Sequence, residues 1–589
     1  MPDETPGPAG PWEPTPARAS APTDPDERAA EHDGAAVGTA VEATGSGADT
    51  PVEPDPVPTR DRLLLRLLGP ATLALGSTHR DRVLGWVGPL AVTALAAVLR
   101  LWHLGTPDSL VFDETYYVKD GYALTQLGYE GQWGEDPNPS FEAGDTSGLS
   151  TAGEYVVHPP VGKWLIGLGI RLGGVEHPWA WRLSAAVAGV LAVLVLARVA
   201  RRLLASTALG TLAGLLLAVD GMAIVFSRTS LLDGFLMLFL LCGFGCLVVD
   251  REVARRRLAD RADAVLDAGG RLGLGPRLGF RGWRLAAAVL LGLAVATKWS
   301  ALWFVALFGL MTVLWDALAR RAVGVRAWAW AGVWRDGVVA SLVVVGTTVA
   351  VYVASWSGWL LTAGGYGRQW AADHPGEGLT WLPEGLRSLV QYHVQMWSFH
   401  TGLTTPHTYQ AHPLGWLVQW RPTLFFYDQD LVALSPQDAL AACGAERCTS
   451  AVTSLGNPLT WWLGTAACVV ALVLLLRWRD WRAGAALAGV AAGWLPWFAY
   501  SHRTIFAFYA IALLPFLVLV LVHVLGVAVG PRPAPDETAA ARSRRLVVRV
   551  VAGLVVLVVA VSAFFYPVWT AWTVPFSFWH WHVWMPGWT

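Results

Sequence analysis

The sequence predicts an all-α polytopic membrane protein with about eleven transmembrane helices and two structured extracytoplasmic loops. Three observations predict it. Of 589 residues, 54% are hydrophobic and 15% charged, with mean hydropathy +0.43; a soluble chain carries about 25% charge. Apolar runs approaching the ~20 residues a bilayer requires recur along the chain. Arginine clusters fall in every second connection, the pattern of cytoplasmic loops. The 33 Trp fit a protein with many membrane–water interfaces. A net charge of −1 gives no electrostatic footprint for a nucleic-acid partner.

Taken in order, residues 1–59 hold twelve acidic residues against two Arg, with abundant Pro and Ala. They cannot bury enough apolar surface to fold, and they show no basic–apolar pattern of a signal peptide. Residues 1–80 therefore read as a disordered cytoplasmic tail with a basic juxtamembrane end. The apolar runs follow at 84–104, 182–198, 206–226, 233–249, 285–297, 299–315, 337–356, 459–476, 483–500, 505–529 and 546–566. The fifth is short and spans only with its Arg-rich flank or local thinning. Residues 84–530 read as the membrane core, with outer loops at 105–181 and 357–458. Residues 531–589 add a last helix and an aromatic tail that joins the outer cap. The arginine pattern puts the N-terminus inside and the C-terminus outside.

Cys242, Cys246 and Cys468 lie in apolar runs and read as buried thiols. Cys443 and Cys448 lie in a polar loop, where a small disulfide and free thiols both remain open. Only three basic side chains are Lys: Lys119, Lys163 and Lys298. A chain that uses Arg almost everywhere keeps Lys where a compact ammonium matters, unless the three are chance survivors.

The polar motifs cluster in the outer connections. "FDETYYVKDGY" places Asp113 and Glu114 side by side. Adjacent side chains diverge by about 100° on a helix, so two separate roles fit better than one shared proton; a solvated pair is the alternative. "HPPVGKW" places His158 and Lys163 at the start of an amphipathic helix, near a polar headgroup or simply at the interface. "DGMAIVFSRTSLLDG" holds Asp220, Arg228 and Asp233 in a mostly apolar turn, where charge is costly and points to function or to an internal pair. "ATKWSALW" carries Lys298, and "SHRTIFAFY" carries Arg503, a residue type that holds phosphate oxygens bidentately. "HPLGWLVQWRP" supplies His412, Trp416 and Arg421, suited to sugar stacking or to loop positioning. His407 and His412 lack the carboxylates or HxxxH spacing of a metal site.

Together and in this order, "FDETYYVKDGY", "HPPVGKW", "SRTSLLDG", "TKWSALW", "HPLGWLVQWRP" and "RTIFAFY" resemble the protein O-mannosyltransferases, membrane glycosyltransferases of the GT-C fold. The resemblance covers about 84–589, and the second outer loop is too short for the β-trefoil domain of the eukaryotic members. It implies a bacterial plasma-membrane enzyme that moves mannose from a polyprenyl-phosphate-mannose lipid to Ser or Thr hydroxyls of secreted proteins, with inversion. It implies no cofactor and no metal. Membrane lipid, secreted acceptors and the secretion translocon are the partners it suggests. By the same resemblance Asp113 is the general base and Glu114 a positioning group. Arg503 and Lys298 hold the leaving phosphate, with Arg228 and Lys163 as weaker candidates. His158, His412, Trp416 and Arg421 are sugar-, acceptor- or loop-positioning groups. Two other readings stay open: a lipid-linked-sugar transferase acting on lipid or cell-wall polymer, and a transporter or non-catalytic scaffold. The second is disfavoured because transporters place charge near the midplane.

Overall fold

All eleven apolar runs are helical in the computed structural model, which describes residues 59–534 and 536–588. The acidic tail up to residue 58 lies outside the described residues. Seven described helices are long and apolar enough to cross a membrane: His79–Leu101, Pro178–Leu203, Leu232–Asp267, Ala301–Ala322, Trp328–Ser355, Pro458–Trp478 and Thr538–Trp569. The pair Thr207–Ala218 and Gly221–Arg228 makes an eighth if read as one span bent by 59°. The other three runs form shorter helices, Gly282–Val295, Trp481–Trp494 and Leu514–Val529. Among the described residues, length and composition alone thus mark seven or eight spans, and the three shorter helices are not counted by that test. Proline accounts for two of the three short ones. Pro496 sits in the 3-10 turn that ends one helix, and Pro515 opens the other, because proline lacks the N–H that would continue an α-helix.

The bend at Asp220 is held by buried charge. The Asp220 side chain caps Gly221–Arg228 by accepting from the Ala223 N–H at 3.1 Å, and also accepts from Asn457 N and Trp461 Nε1, each at 3.0 Å. On the other side of the break, Arg100 donates to the free carbonyls of Leu217 (3.0 Å) and Ala218 (2.9 Å). Both ends of the broken helix therefore have their unpaired backbone groups satisfied inside protein, as lipid surroundings demand. A second charged cluster lies about 25 Å along the Leu232–Asp267 helix from Asp233. There Arg281 and Arg284 share Asp316 (2.8 and 2.6 Å), and Arg281 also holds Asp250.

The two predicted outer loops meet over one end of the bundle. The first contributes the helix Glu114–Leu127, a hairpin pairing Gly131–Trp133 with Leu149–Gly153, and the helix Val161–Gly173. Its two helices cross backbone to backbone at glycines. A Cβ on Gly167 would lie 2.3 Å from the Gly121 carbonyl oxygen, and one on Gly121 would lie 2.8 Å from the Lys163 carbonyl oxygen. The second loop contributes the helix Glu384–Gly402 and the antiparallel pair Thr423–Tyr427 with Ala451–Ser454. Cys443 and Cys448 are joined by a disulfide. The C-terminal tail joins this cap as the sequence suggests: Val574–Pro575 pairs with Cys448–Thr449, and Trp588 Nε1 donates to the Gln419 carbonyl at 2.6 Å.

A buried clamp fixes the start of the first loop. Arg182, fully buried in its helix, donates to both oxygens of Glu114 at 2.9 and 2.8 Å. It also donates to the carbonyls of Pro107 (2.5 Å) and Ser109 (2.9 Å). Glu114 accepts two more bonds, from Ser230 N at 2.7 Å and Val111 N at 3.0 Å. Removing one partner of a buried, hydrogen-bonded ion pair leaves an uncompensated charge and costs about 3–5 kcal/mol. We expect Arg182→Ala to lower the apparent melting temperature of detergent-solubilised protein sharply, and Glu114→Gln, which keeps the shape and the acceptor oxygen, to lower it less. Equal and negligible shifts would show that the clamp does not hold the loop.

Candidate active site

Asp113 sits immediately before the Glu114–Leu127 helix, so the clamp on its neighbour fixes its backbone. Its own carboxylate is left free to face inward. The Tyr117 hydroxyl, one turn on, approaches it at 3.4 Å, and no other described side chain is recorded in a hydrogen bond with it. The carboxylate opens into a cavity of about 850 Å³ between the two loops. Burial pushes its pKa up to about 6, with Lys298 pulling it down and Asp233 pushing it further up.

Five of the residues singled out from the sequence line this cavity together: Asp113, His158, Lys163, Lys298 and Arg503. Their charges are not equivalent. Lys298 Nζ is engaged by both oxygens of Asp233, at 3.0 and 2.9 Å, and lies 4.4 Å from the centre of the Tyr509 ring. Lys163, fully buried, is bonded to Glu130 and lies 3.5 Å from Asp120. Arg503 differs. It is buried, no described carboxylate pairs with it, and its Nε has no hydrogen-bond partner. A buried guanidinium without a counter-charge is costly and fits an anion arriving from outside the chain.

His158 is stacked on His400 with ring centres 5.2 Å apart. Burial, then the positive charge of Lys298, drives the His158 pKa well below the usual imidazole range, and burial brings His400 to about 4. Both are neutral near pH 7. His400 Nε2 contacts the Val157 carbonyl at 2.7 Å, while His158 Nδ1 is buried without a partner.

Five expected residues stand elsewhere. Glu114 is bonded to Arg182 and does not line the cavity. Arg228 is not free for a phosphate. Its guanidinium donates to the carbonyls of Arg100 (3.1 Å), Trp102 (2.5 Å) and His103 (2.7 Å), closing the end of the His79–Leu101 helix. Trp416 is a fully buried core ring donating to the Ala411 carbonyl, so its faces are unavailable to a sugar. His412 accepts from Leu414 N as a turn cap, and Arg421 holds the Thr408 carbonyl at 2.8 Å; both shape the second loop. The sequence reading missed Tyr117, Asp120, Glu130, Glu154, His400, Tyr500 and Tyr509. Tyr117 and Asp120 were within reach, since positions four and seven after Asp113 share its helix face. Glu130, His400 and Tyr509 are brought in by tertiary packing and carry no local signal.

Comparison with known proteins gives the family and the fold. Residues 386–588 match the family described as the C-terminal four TMM region of protein-O-mannosyltransferase, and residues 157–257 match dolichyl-phosphate-mannose-protein mannosyltransferase. A polyprenol-phosphate-mannose–protein mannosyltransferase of Mycolicibacterium smegmatis (strain MKD8) is 38% identical over 521 residues, covering 86% of this chain and 94% of the relative. One of Mycobacterium tuberculosis (strain H37Rv) is 36% identical over 523 residues, covering 86% and 92%. Among solved structures, the S. cerevisiae protein O-mannosyltransferase Pmt1-Pmt2 complex bound to the sugar donor superposes with a TM-score of 0.63 at 14% identity, over 88% of this chain and 94% of that one. That likeness establishes the GT-C fold. On the extent and level of identity to its bacterial relatives, the chain belongs to the polyprenol-phosphate-mannose–protein mannosyltransferase family.

Proposed function

We propose that this chain transfers mannose from polyprenyl-phosphate mannose to a Ser or Thr hydroxyl of a secreted protein, with inversion at the anomeric carbon. One observation carries the reading: a carboxylate of raised pKa and an unpaired buried guanidinium line the same cavity. Asp113 accepts the proton of the incoming hydroxyl. The oxygen then bonds to the anomeric carbon as the bond from that carbon to the phosphate oxygen breaks. The electron pair leaves on the phosphate, beside Arg503. A fixed cation aimed at charge that develops in the transition state lowers the barrier more than it tightens ground-state binding. Lys298 adds positive field, tempered by Asp233. Glu114 acts through the backbone, holding Asp113 in place.

The position of the cavity fits a donor that lies in the membrane. Trp303 and Trp397, both partly exposed, are among its lining residues and give a polyprenyl chain an apolar approach. The Arg281–Asp316 cluster marks the opposite end of the bundle, which by its arginine content faces the cytoplasm. On this reading the cavity lies outside the plasma membrane, with the N-terminus inside and the C-terminus outside, where acceptors emerge from the translocon.

Three outcomes are expected. Asp113→Asn lowers peptide mannosylation by about 10²–10⁴-fold, the range of a positioned general base, while donor binding is retained; a variant with near-normal turnover ends the assignment. Arg503→Ala lowers kcat by about 10²–10³-fold, and Arg503→Lys recovers part of it; an effect confined to KM places Arg503 in ground-state binding instead. Because the base works ionised, kcat/KM falls about tenfold per pH unit below pH ~6 and levels off above it. A flat profile from pH 5 to 8 in the native enzyme contradicts Asp113 as the titrating group.

A further inference from the structure

A second cavity, of about 360 Å³, lies in the 357–458 loop. It is bordered by the rings of Tyr366, Trp370 and Tyr392 and by the side chains of Asp373, Gln391 and Gln395. No aliphatic side chain lines it. Its shape is set by Arg387, behind the wall, and by Ser388, which is part of the lining. Arg387 binds the carbonyls of Ala371 and Pro375, and Ser388 Oγ accepts from Ala371 N at 3.0 Å, fastening the turn Trp370–Asp373 onto the Glu384–Gly402 helix. Gln391 and Gln395, one turn apart, lie on one face of that helix. Among the described residues nothing bonds to either amide or to the Asp373 carboxylate. Three planar polar groups, the exposed Asp373 carboxylate and the half-buried Gln391 and Gln395 amides, thus border an aromatic-edged hollow without protein partners of their own.

This chemistry suits a small polyhydroxylated ring. Carboxylate and amide oxygens accept from vicinal hydroxyls, amide N–H groups donate to them, and aromatic rings border the apolar C–H face. It suits a lipid tail or an apolar peptide side chain poorly. The volume falls within the range of small-molecule sites, near its lower end. Its location adds a second argument. Tyr392, whose ring borders the hollow, donates through Oη to the Val156 carbonyl at 3.0 Å and accepts from Val156 N at 2.9 Å. Val156 lines the catalytic cavity. Tyr155, also in that wall, lies 5.3 Å from the Tyr366 ring, centre to centre. One layer of side chains separates the two spaces.

We propose that this hollow binds a mannosyl group already attached to the acceptor. An acceptor anchored there presents its neighbouring hydroxyls to Asp113, so the enzyme favours adding mannose near existing mannose. No new bond chemistry is needed; the pocket changes only which hydroxyl is delivered. The identity of the sugar rests on the mannosyl-transfer reading above, whereas binding itself does not.

Two measurements test it. The full chain carrying Asp113→Asn, which slows turnover, is reconstituted in nanodiscs without donor. Saturation-transfer NMR with methyl α-D-mannopyranoside should show binding that disappears when Gln391→Ala and Gln395→Ala are added. Separately, the native enzyme is offered a Thr-rich peptide with and without one mannosyl-Thr. The glycopeptide should show a KM lower by about tenfold, the scale of one or two net hydrogen bonds. In the Gln391→Ala/Gln395→Ala enzyme that advantage should vanish while transfer to the bare peptide is unchanged. The proposal is overturned by equal KM values for the two peptides, by a preference that survives the double substitution, or by an NMR signal indifferent to it. Failure of Asp113→Asn to slow transfer would instead overturn the catalytic reading, leaving the NMR result to judge the hollow.

Discussion

The enclosed pair between Glu114 and Arg182 is the constraint on which the cavity depends. Two charges held away from water are tolerable only when geometry is good and every remaining polar atom is met. Here Glu114 accepts four hydrogen bonds and Arg182 reaches two loop carbonyls besides. The result is a rigid corner between the first loop, the Pro178–Leu203 helix and Ser230. The two adjacent acidic residues thus divide: Glu114 is fully engaged by the clamp, and Asp113, met among the described residues only by the Tyr117 hydroxyl, faces the cavity. The backbone link is a single peptide, so any slackness at Glu114 is passed directly to Asp113.

The cations divide in the same way. Lys163 and Lys298 are each neutralised by carboxylates of their own, which keeps the cavity wall stable before any substrate arrives. Arg503 alone among the three lacks such a partner. Under the proposed mechanism, a wall whose lysines are balanced and whose one unpaired cation among the described residues is Arg503 would draw an anion to one place instead of spreading it over a generally positive surface. Neutral His158 and His400 fit this arrangement, since two charged imidazoles there would blur that direction.

Much of the molecule was legible in the sequence, for identifiable reasons. Hydropathy located the helical runs, and arginine placement separated the two ends of the bundle. The Asp113-Glu114 motif, Lys298 and Arg503 stood out because charge beside apolar sequence is expensive. What was not legible follows from tertiary geometry. Arg228 looked like a phosphate ligand by the same cost argument, yet the cost is offset by backbone carbonyls at a helix end that no sequence window contains. Trp416 looked like a sugar platform because burial of a ring cannot be read from its type. The breaks at Pro496 and Pro515 were not legible, because runs interrupted there look continuous to a hydropathy average. The partners Asp233 and Glu130 were invisible as partners, since they lie 65 and 33 residues from the lysines they hold.

The contact between Gly121 and Gly167 has an outcome for how this enzyme can change. With two backbones in van der Waals contact, the helix that follows Asp113 and the helix bearing Lys163 are packed as one block, and no larger residue can be inserted at the crossing without prising them apart. That flank of the site is closed to tinkering. Retuning the enzyme for a bulkier sugar, by laboratory evolution or by natural drift, has to proceed from the facing side, where Trp397, His400 and Tyr500 are offered by segments that carry no such glycine seam.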